Sequence, residues 1–314
     1  VNDFFRIPIG SWVAAAFDWI KSSFDGALDL ISLVVKTLVQ GVADGLLAVP
    51  APALIILLAL LGWIIRSWQF GAGTLVTLTL IIGMSQWENA MFTLALVVIA
   101  TLIAVIIGVP LGILAAKSDG FSAVIRPILD FMQTMPSLVY LIPAVTFFAV
   151  GFVPGVFATV LFALPPGVRF TELGIRGVDA ETVEAGHAFG STPGKILRGI
   201  QLPLAMPTIL AGINQVIMLA LSMAVIAGMA GANGLGKEVV SALATLNIAK
   251  GVEAGLAVVI LAVFLDRLTA ALGTPGEYTR SLRSSLTRRR SLKHSATRAA
   301  QREAAPANAR VAAH

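Results

Sequence analysis

The chain has 314 residues, 57% of them apolar and only 12% charged, with a net charge of +5; soluble domains average roughly 45–50% apolar and roughly 25% charged. A soluble globule of that composition would have almost nothing to turn toward water, and with no cysteine a disulfide framework, thiolate metal ligands and a cysteine nucleophile are excluded as well. The apolar residues gather into long blocks, so the chain reads as one all-α polytopic membrane unit with tails.

Residues 1–48 read as neither signal peptide nor span, because Arg6 is not followed by an uninterrupted apolar stretch with a cleavage site. Asp18, Lys21, Asp25, Asp29, Ser32, Lys36, Gln40 and Asp44 recur at close to the helical period, with Ile20, Phe24, Leu28, Ile31, Val35, Leu38 and Val42 between them. This predicts an external amphipathic helix, either lying in the membrane interface or docking an extracellular partner. Its four acids outnumber its two bases, so attraction to anionic lipid is not what holds it there.

Stretches 45–65, 91–116 and 204–230 lack Asp, Glu, Lys and Arg altogether, and 70–87, 138–152, 153–168 and 255–272 complete an expected set of seven spans. Between 138 and 168 the pattern is broken by Pro143, Pro154, Pro165 and Pro166, and non-ideal helix at membrane depth requires protein or a cavity beside it. An odd number of spans puts the termini on opposite sides. With the C-terminus inside, the Lys/Arg split is 17 inside to 5 outside, so the expected topology is N-outside, C-inside. The residues from Arg280 onward, including Arg288, Arg289 and Arg290, lack apolar periodicity and are expected to be a disordered basic tail held near anionic headgroups, with salt sensing as a second role. Nucleic-acid binding is not expected of so short a tail on a membrane protein.

Catalytic and metal chemistry is missing. His187, His294 and His314 form no metal-ligand spacing with an acid, so no metal site is expected. The segment from Gly231 to Glu238 fits a phosphate-loop pattern up to its last position, where Glu238 replaces the Ser or Thr that would serve magnesium, and it falls on the external side; the match reads as coincidence. Glu88, Asp130, Glu172, Glu253 and Asp266 all sit near predicted span ends. No ionisable group lies at the midplane, where an ion-coupled secondary transporter would be expected to bury one.

The longest internal polar connection, 171–203, reads as two short helices. Asp179, Glu181 and Glu184 suit the start of the first; Gly190 can end it in the left-handed conformation; Thr192-Pro193 reads as the cap and first position of the second; Leu202-Pro203 ends that helix. Such a unit is a poor catalytic site and a good docking knob.

These residues carry a family resemblance. Glu184, Ala185, Gly186, Gly190, Ile200, Leu202 and Pro203 match the pattern E-A-A-x3-G-x9-I-x-L-P of bacterial ATP-binding-cassette importer permeases, with Gly186 in place of the third Ala as the one departure. Between about residues 11 and 272 the chain also resembles the permease subunit of the glycine betaine/proline importers, through the external amphipathic segment, Met132-Gln133-Thr134-Met135-Pro136, Leu164-Pro165-Pro166, the run 201–207, Leu219 to Met223, Gly234-Leu235-Gly236 and Leu265 to Thr269.

The resemblance implies a type I importer permease fold of the bacterial inner membrane: two accessory spans in 49–88, a permease domain over 89–273 and a basic tail over 274–314. It implies a homodimer served by two cytosolic ATPase subunits and an extracytoplasmic substrate-binding protein, the ATP being used by the partner and no cofactor bound by this chain. Glu184, Ala185, Gly186 and Gly190 would enter a cleft of the ATPase, with His187 a surface residue on the same helix. Asn214, Gln215 and Ser222 would line the translocation path or bond a facing helix. The prolines at 136, 143 and 165 would shape that path or kink packed helices. The sequence offers no convincing aromatic cage for a quaternary ammonium, which fits selectivity in the separate binding protein. The expected activity is inward transport of glycine betaine or proline, with choline or carnitine import the alternative within the family and ion-coupled transport the alternative outside it.

Overall fold

The computed structural model describes residues 8–273, and every regular element among them is helical; the basic tail expected from Arg280 onward lies outside the described residues. The expected amphipathic helix forms as two, Ile9–Ser23 (α1) and Asp25–Ala48 (α2), divided at Phe24, where the backbone leaves helical geometry. α2 buries Val35, Val39 and Ala43, a stripe at four-residue spacing.

Ala51–Ile65 (α3) and Trp68–Gly83 (α4) form an apolar hairpin. The first expected span, 45–65, therefore starts late, because α2 continues to Ala48 and Pro50 separates the two helices. At 15 and 16 residues, α3 and α4 reach roughly 22–24 Å, less than the roughly 30 Å of a hydrocarbon layer. Phe70 stacks on Phe264 with ring centroids 6.1 Å apart, and Arg66 Nη1 donates to the Arg267 carbonyl at 3.1 Å, tying the hairpin to the last helix.

Trp87–Lys117 (α5), Phe152–Arg176 (α8), Leu202–Ala227 (α11) and Ile248–Gly273 (α13) are long and apolar enough to cross a membrane. Side-chain contacts fix their directions. Phe92 stacks on Phe152 near the start of α5 and α8, and Arg176 Nη2 donates to the Ala115 carbonyl near their ends at 2.8 Å, so the two run parallel. The chain between them must therefore return through the layer.

It does so by a broken route. Asp119–Thr134 (α6) and the segment Ser137–Phe148 are bent by 109° at Met135-Pro136, and the second part is a 3-10 turn followed by Leu141–Phe148 (α7). The expected straight span 138–152 is thus absent, because α7 has eight residues and Ala149 and Gly151 both take positive φ. In contrast, Pro165 and Pro166 do not break α8, which carries both inside the helix and buried.

The seven expected traverses are replaced by four long helices, a short hairpin and a bent pair. Among the described residues five helices pass the length and composition test, α2 being the fifth, or six if the bent pair counts as one. α2 passes on length as well as composition, and its Ser32, Lys36 and Gln40 line one cavity with the start of α8.

α8 packs between α5 and α11 at backbone range. A Cβ on Gly112 of α5 would come within 2.5 Å of Thr171 Cβ, and one on Gly212 of α11 within 2.4 Å of Phe170 Cβ; small residues of this kind let membrane helices approach closely. The core runs through Ala95, Val97, Ala104, Val156, Ala163, Val216, Ala220 and Leu261, all buried. A further helix, Leu235–Ala244 (α12), caps the α5/α11 end, with Leu235 N–H donating to Thr93 Oγ1 at 2.8 Å. The glycines of the 231–238 segment are thereby taken up in packing: a Cβ on Gly236 would meet the carbonyl oxygens of Ala224 and Val225 at 2.6 Å.

Candidate functional site

At the end of the bundle where α5 and α8 finish, the chain emerges as a compact knob. Gly177 closes α8, and Asp179 starts Ala180–Ala188 (α9) by accepting from Glu181 N–H at 3.3 Å and from Thr182 Oγ1 at 3.3 Å. Gly190 takes φ +72°, and Ser191 N–H donates back to the Gly186 carbonyl at 3.1 Å, which ends the helix and reverses the chain. Thr192 then precedes Pro193–Ile196 (α10), with Pro193 in the first helical turn.

Pro203 departs from expectation. It does not end the second helix. Residues Leu197–Gln201 form a π turn that joins α10 to α11 without interruption. The wider hydrogen-bond register of a π turn absorbs the missing N–H and the ring of proline, so Ile200 lies within the turn and Leu202 and Pro203 open α11.

The seven residues of the matched pattern divide by surroundings. Glu184, Ala185 and Gly190 are exposed on the knob, with His187 beside them. Gly186 is buried: a Cβ there would meet Ile200 Cδ1 at 2.9 Å and Ile196 Cγ1 at 3.3 Å. Its smallness lets α9 cross α10 within this chain, and it does not face outward with Glu184. Ile200 and Leu202 are half-buried and Pro203 is exposed. The knob rests on Leu197, packed with Ile175, Ala205 and Ile209 and flanked by Val109, Ile113 and Val178, so α5, α8 and α11 all meet under it.

Two features escape a reading of the sequence. Phe189, between the end of α9 and Gly190, is 90% exposed; an aromatic residue just before a left-handed glycine is the available signal. The second is an ionic cluster beside the knob. The Glu172 side chain, only 6% exposed, accepts from Ser122 Oγ at 2.7 Å and Arg126 Nη2 at 2.8 Å, with Arg176 Nε at 3.1 Å. Arg176 also meets Asp119 Oδ1 at 2.7 Å, and Arg169 pairs with Asp130. The network clasps α6 to α8. The expectation that 171–203 is a loop hid it, since α8 continues to Arg176 and buries Thr171 and Glu172.

The three candidate path residues separate. Asn214 Nδ2 donates to Asp266 Oδ1 at 3.0 Å and Asn214 Oδ1 accepts from Thr269 Oγ1, a clasp between α11 and α13. Asp266, expected only to sit near a span end, is drawn into that clasp. Gln215 and Ser222 stand instead on an exposed face of α11 that also carries Ala211 and Met218, and no other helix among the described residues covers it. Among the described residues no group of three acids or histidines is placed to hold a metal.

Comparison with known proteins bears on this arrangement. Residues 108–274 match the family described as binding-protein-dependent transport system inner membrane component. The glycine betaine/proline betaine transport system permease protein ProW of Escherichia coli is 46% identical over 267 residues, 85% of this chain and 75% of that protein. The glycine betaine transport system permease protein OpuAB of Bacillus subtilis is 48% identical over 264 residues, 84% of this chain and 94% of that protein. An inward-facing crystal structure of the MetNI methionine ABC transporter matches at a TM-score of 0.56 and 19% identity, over 60% of this chain and 95% of that chain, a likeness of fold. A polytopic helical chain that carries this match from within α5 to the end of α13, and which aligns with such permeases over most of its length, belongs to the binding-protein-dependent transport system inner membrane component family.

Proposed function

We propose that this chain is the permease subunit of an ATP-driven importer for glycine betaine and related compatible solutes, an osmoprotective activity. The relatives named for glycine betaine transport, at 46% and 48% identity over most of the chain, support the substrate class. The observation that carries the mechanism is the continuity of the knob with the core: α9 joins α8 through three residues and joins α11 through α10 and an unbroken π turn. A displacement of α9 therefore moves α8 and α11 together.

In this reading Glu184, Ala185, Phe189 and the Gly190 turn present α9 to a cytosolic ATPase subunit, and Gly186, Ile200, Leu202 and Pro203 hold the knob to its stem. Closure of the ATPase pair on ATP drives the knobs and tilts α8 and α11 between inward- and outward-facing states. The chain binds no nucleotide or metal itself. A second copy completes the path, which is consistent with the uncovered face of α11 bearing Gln215 and Ser222, and a substrate-binding protein delivers solute at the opposite end. The eight basic residues at the knob end, Arg66, Lys117, Arg126, Arg169, Arg176, Lys195, Arg198 and Arg267, against Lys21, Lys36, Lys237 and Lys250 at the other, support a cytoplasmic knob in a bacterial cytoplasmic membrane. Co-purification with the cognate ATPase tests the docking assignment: the wild type retains it, Glu184→Lys loses it at unchanged membrane level, and full retention in both Glu184→Lys and Gly190→Pro contradicts the assignment.

A further inference from the structure

The end of the bundle opposite the knob holds a polar cavity of about 460 Å³ between α2, the α7–α8 turn and the turn before α12, within the roughly 300–1,000 Å³ range of small-molecule sites. Ser32, Lys36 and Gln40 line it from α2, Asn233 from the opposite turn, and Phe148 and Phe152 from either side of the α7–α8 turn. No acid lines it.

The walls are set before any ligand arrives. Gly151 N–H donates to the Ala230 carbonyl at 2.9 Å, joining the two turns, and Gly231 at φ +81° allows Val150 to close on it where a Cβ would meet Val150 Cγ1 at 2.4 Å. Asn233 Oδ1 accepts from Lys237 Nζ at 3.2 Å, which fixes the amide and brings a second cation near the rim. Lys36, by contrast, takes part in no ion pair or side-chain hydrogen bond among the described residues, whereas Lys250 of α13 is held by Glu238 Oε2 at 2.8 Å.

From this chemistry we infer that the cavity is a receiving site for a small zwitterion bearing a carboxylate and a quaternary or secondary ammonium, with Lys36, Ser32 and Gln40 on the carboxylate and Phe148 and Phe152 beside the ammonium. The inference rests on the proposed function for its substrate class. An ammonium donor and two neutral polar groups without a competing acid suit a carboxylate, and benzyl rings attract an alkylated ammonium whose positive charge is spread over carbon. Neither half is legible in the sequence, because the rings lie more than 100 residues from Lys36 and meet it only through the fold. The site lies where solute leaving an external binding protein would first touch the permease. It holds the solute briefly at the mouth before the helices open.

The test is modification of Lys36 by an amine-reactive reagent, read by peptide mass spectrometry on the permease–ATPase complex without its binding protein. Glycine betaine at millimolar concentration slows Lys36 modification at least about threefold and leaves Lys21 unchanged, whereas choline, which lacks the carboxylate, protects neither. Equal protection by choline, or none by glycine betaine, overturns the site; protection of Lys36 by unliganded binding protein alone assigns the lysine to docking a protein and overturns it too. In the complete complex, Lys36→Met lowers uptake at subsaturating solute about tenfold, Lys36→Arg restores most of it, and full uptake by Lys36→Met contradicts the inference. A wild-type complex that shows no glycine betaine uptake contradicts the proposed function, and the protection experiment still decides the site.

Discussion

Phe189 is the most exposed large apolar side chain among the described residues. A bare ring at the tip of a polar knob suits a partner's pocket, where buried aromatic anchors contribute about 2 kcal/mol or more. Phe189→Ser is expected to lower ATP-driven uptake more than tenfold while membrane abundance and the thermal midpoint of the isolated chain stay at wild-type values; uptake within twofold of wild type would remove the ring from the interface. Glu172 serves the opposite purpose, internal cohesion. Removing it leaves two arginines facing each other, but Arg126 is 58% exposed and Arg176 35%, so water screens part of the loss. Glu172→Ala is expected to cost about 1–3 kcal/mol, below the roughly 3–5 of a fully buried pair, and Glu172→Gln less because Ser122 can still donate to its amide oxygen; thermal unfolding in detergent measures both. The knob's helix ends were readable beforehand because their preference is local: Asp179 starts α9, Gly190 ends it and Pro193 opens α10, although the Thr192 side chain makes no cap hydrogen bond. Phe189 and Glu172 were not, since exposure of one and burial of the other depend on helices distant in sequence.

The elements under the knob are α5, α8 and α11, and their contact is made by small residues. Gly112→Val is expected to force α5 from α8, where Thr171 leaves no room, and to destabilise the chain by at least about 2 kcal/mol. Gly73→Ala on α4 is the matched control, because a Cβ there meets nothing within 4 Å and helix propensity improves. Equal melting of the two variants would show that the α5–α8 approach is not required. At this scale, long uninterrupted apolar runs were legible: 91–116 and 204–230 became α5 and α11 with small changes of boundary. Prolines were an uneven guide. Pro136 marks a true bend of 109°, whereas Pro165, Pro166 and Pro203 lie inside continuous helix, the last relieved by a π turn. Whether a neighbour or a widened turn accommodates the lost hydrogen bond is a tertiary fact. Residues 119–134 lie in none of the expected spans, and the helix that forms there buries only Ser122 and Leu129.

For the whole molecule, the parallel course of α5 and α8 fixes which segments share an end, and the excess of basic residues at the knob end is the ground for proposing that end as cytoplasmic. The absence of native cysteine makes this directly testable. Leu243→Cys on α12, 75% exposed, is expected to react with an impermeant maleimide on intact cells, and Ala180→Cys on α9 only in inverted vesicles; the reverse pattern would invert the topology. The overall architecture was legible as a polytopic helical membrane protein because composition forces it, and as a permease only through the family resemblance of 184–203, but the bent pair and the α2 placement were not, because both depend on which surfaces the helices share. The central claim is that this chain moves solute only when an ATPase acts on the knob. It is tested most directly by uptake of labelled glycine betaine into proteoliposomes holding this chain with or without its ATPase and binding protein, energised by internal ATP or by an imposed ion gradient. The account predicts uptake with ATP and both partners together and none with any one omitted; gradient-driven uptake by the chain alone would contradict it.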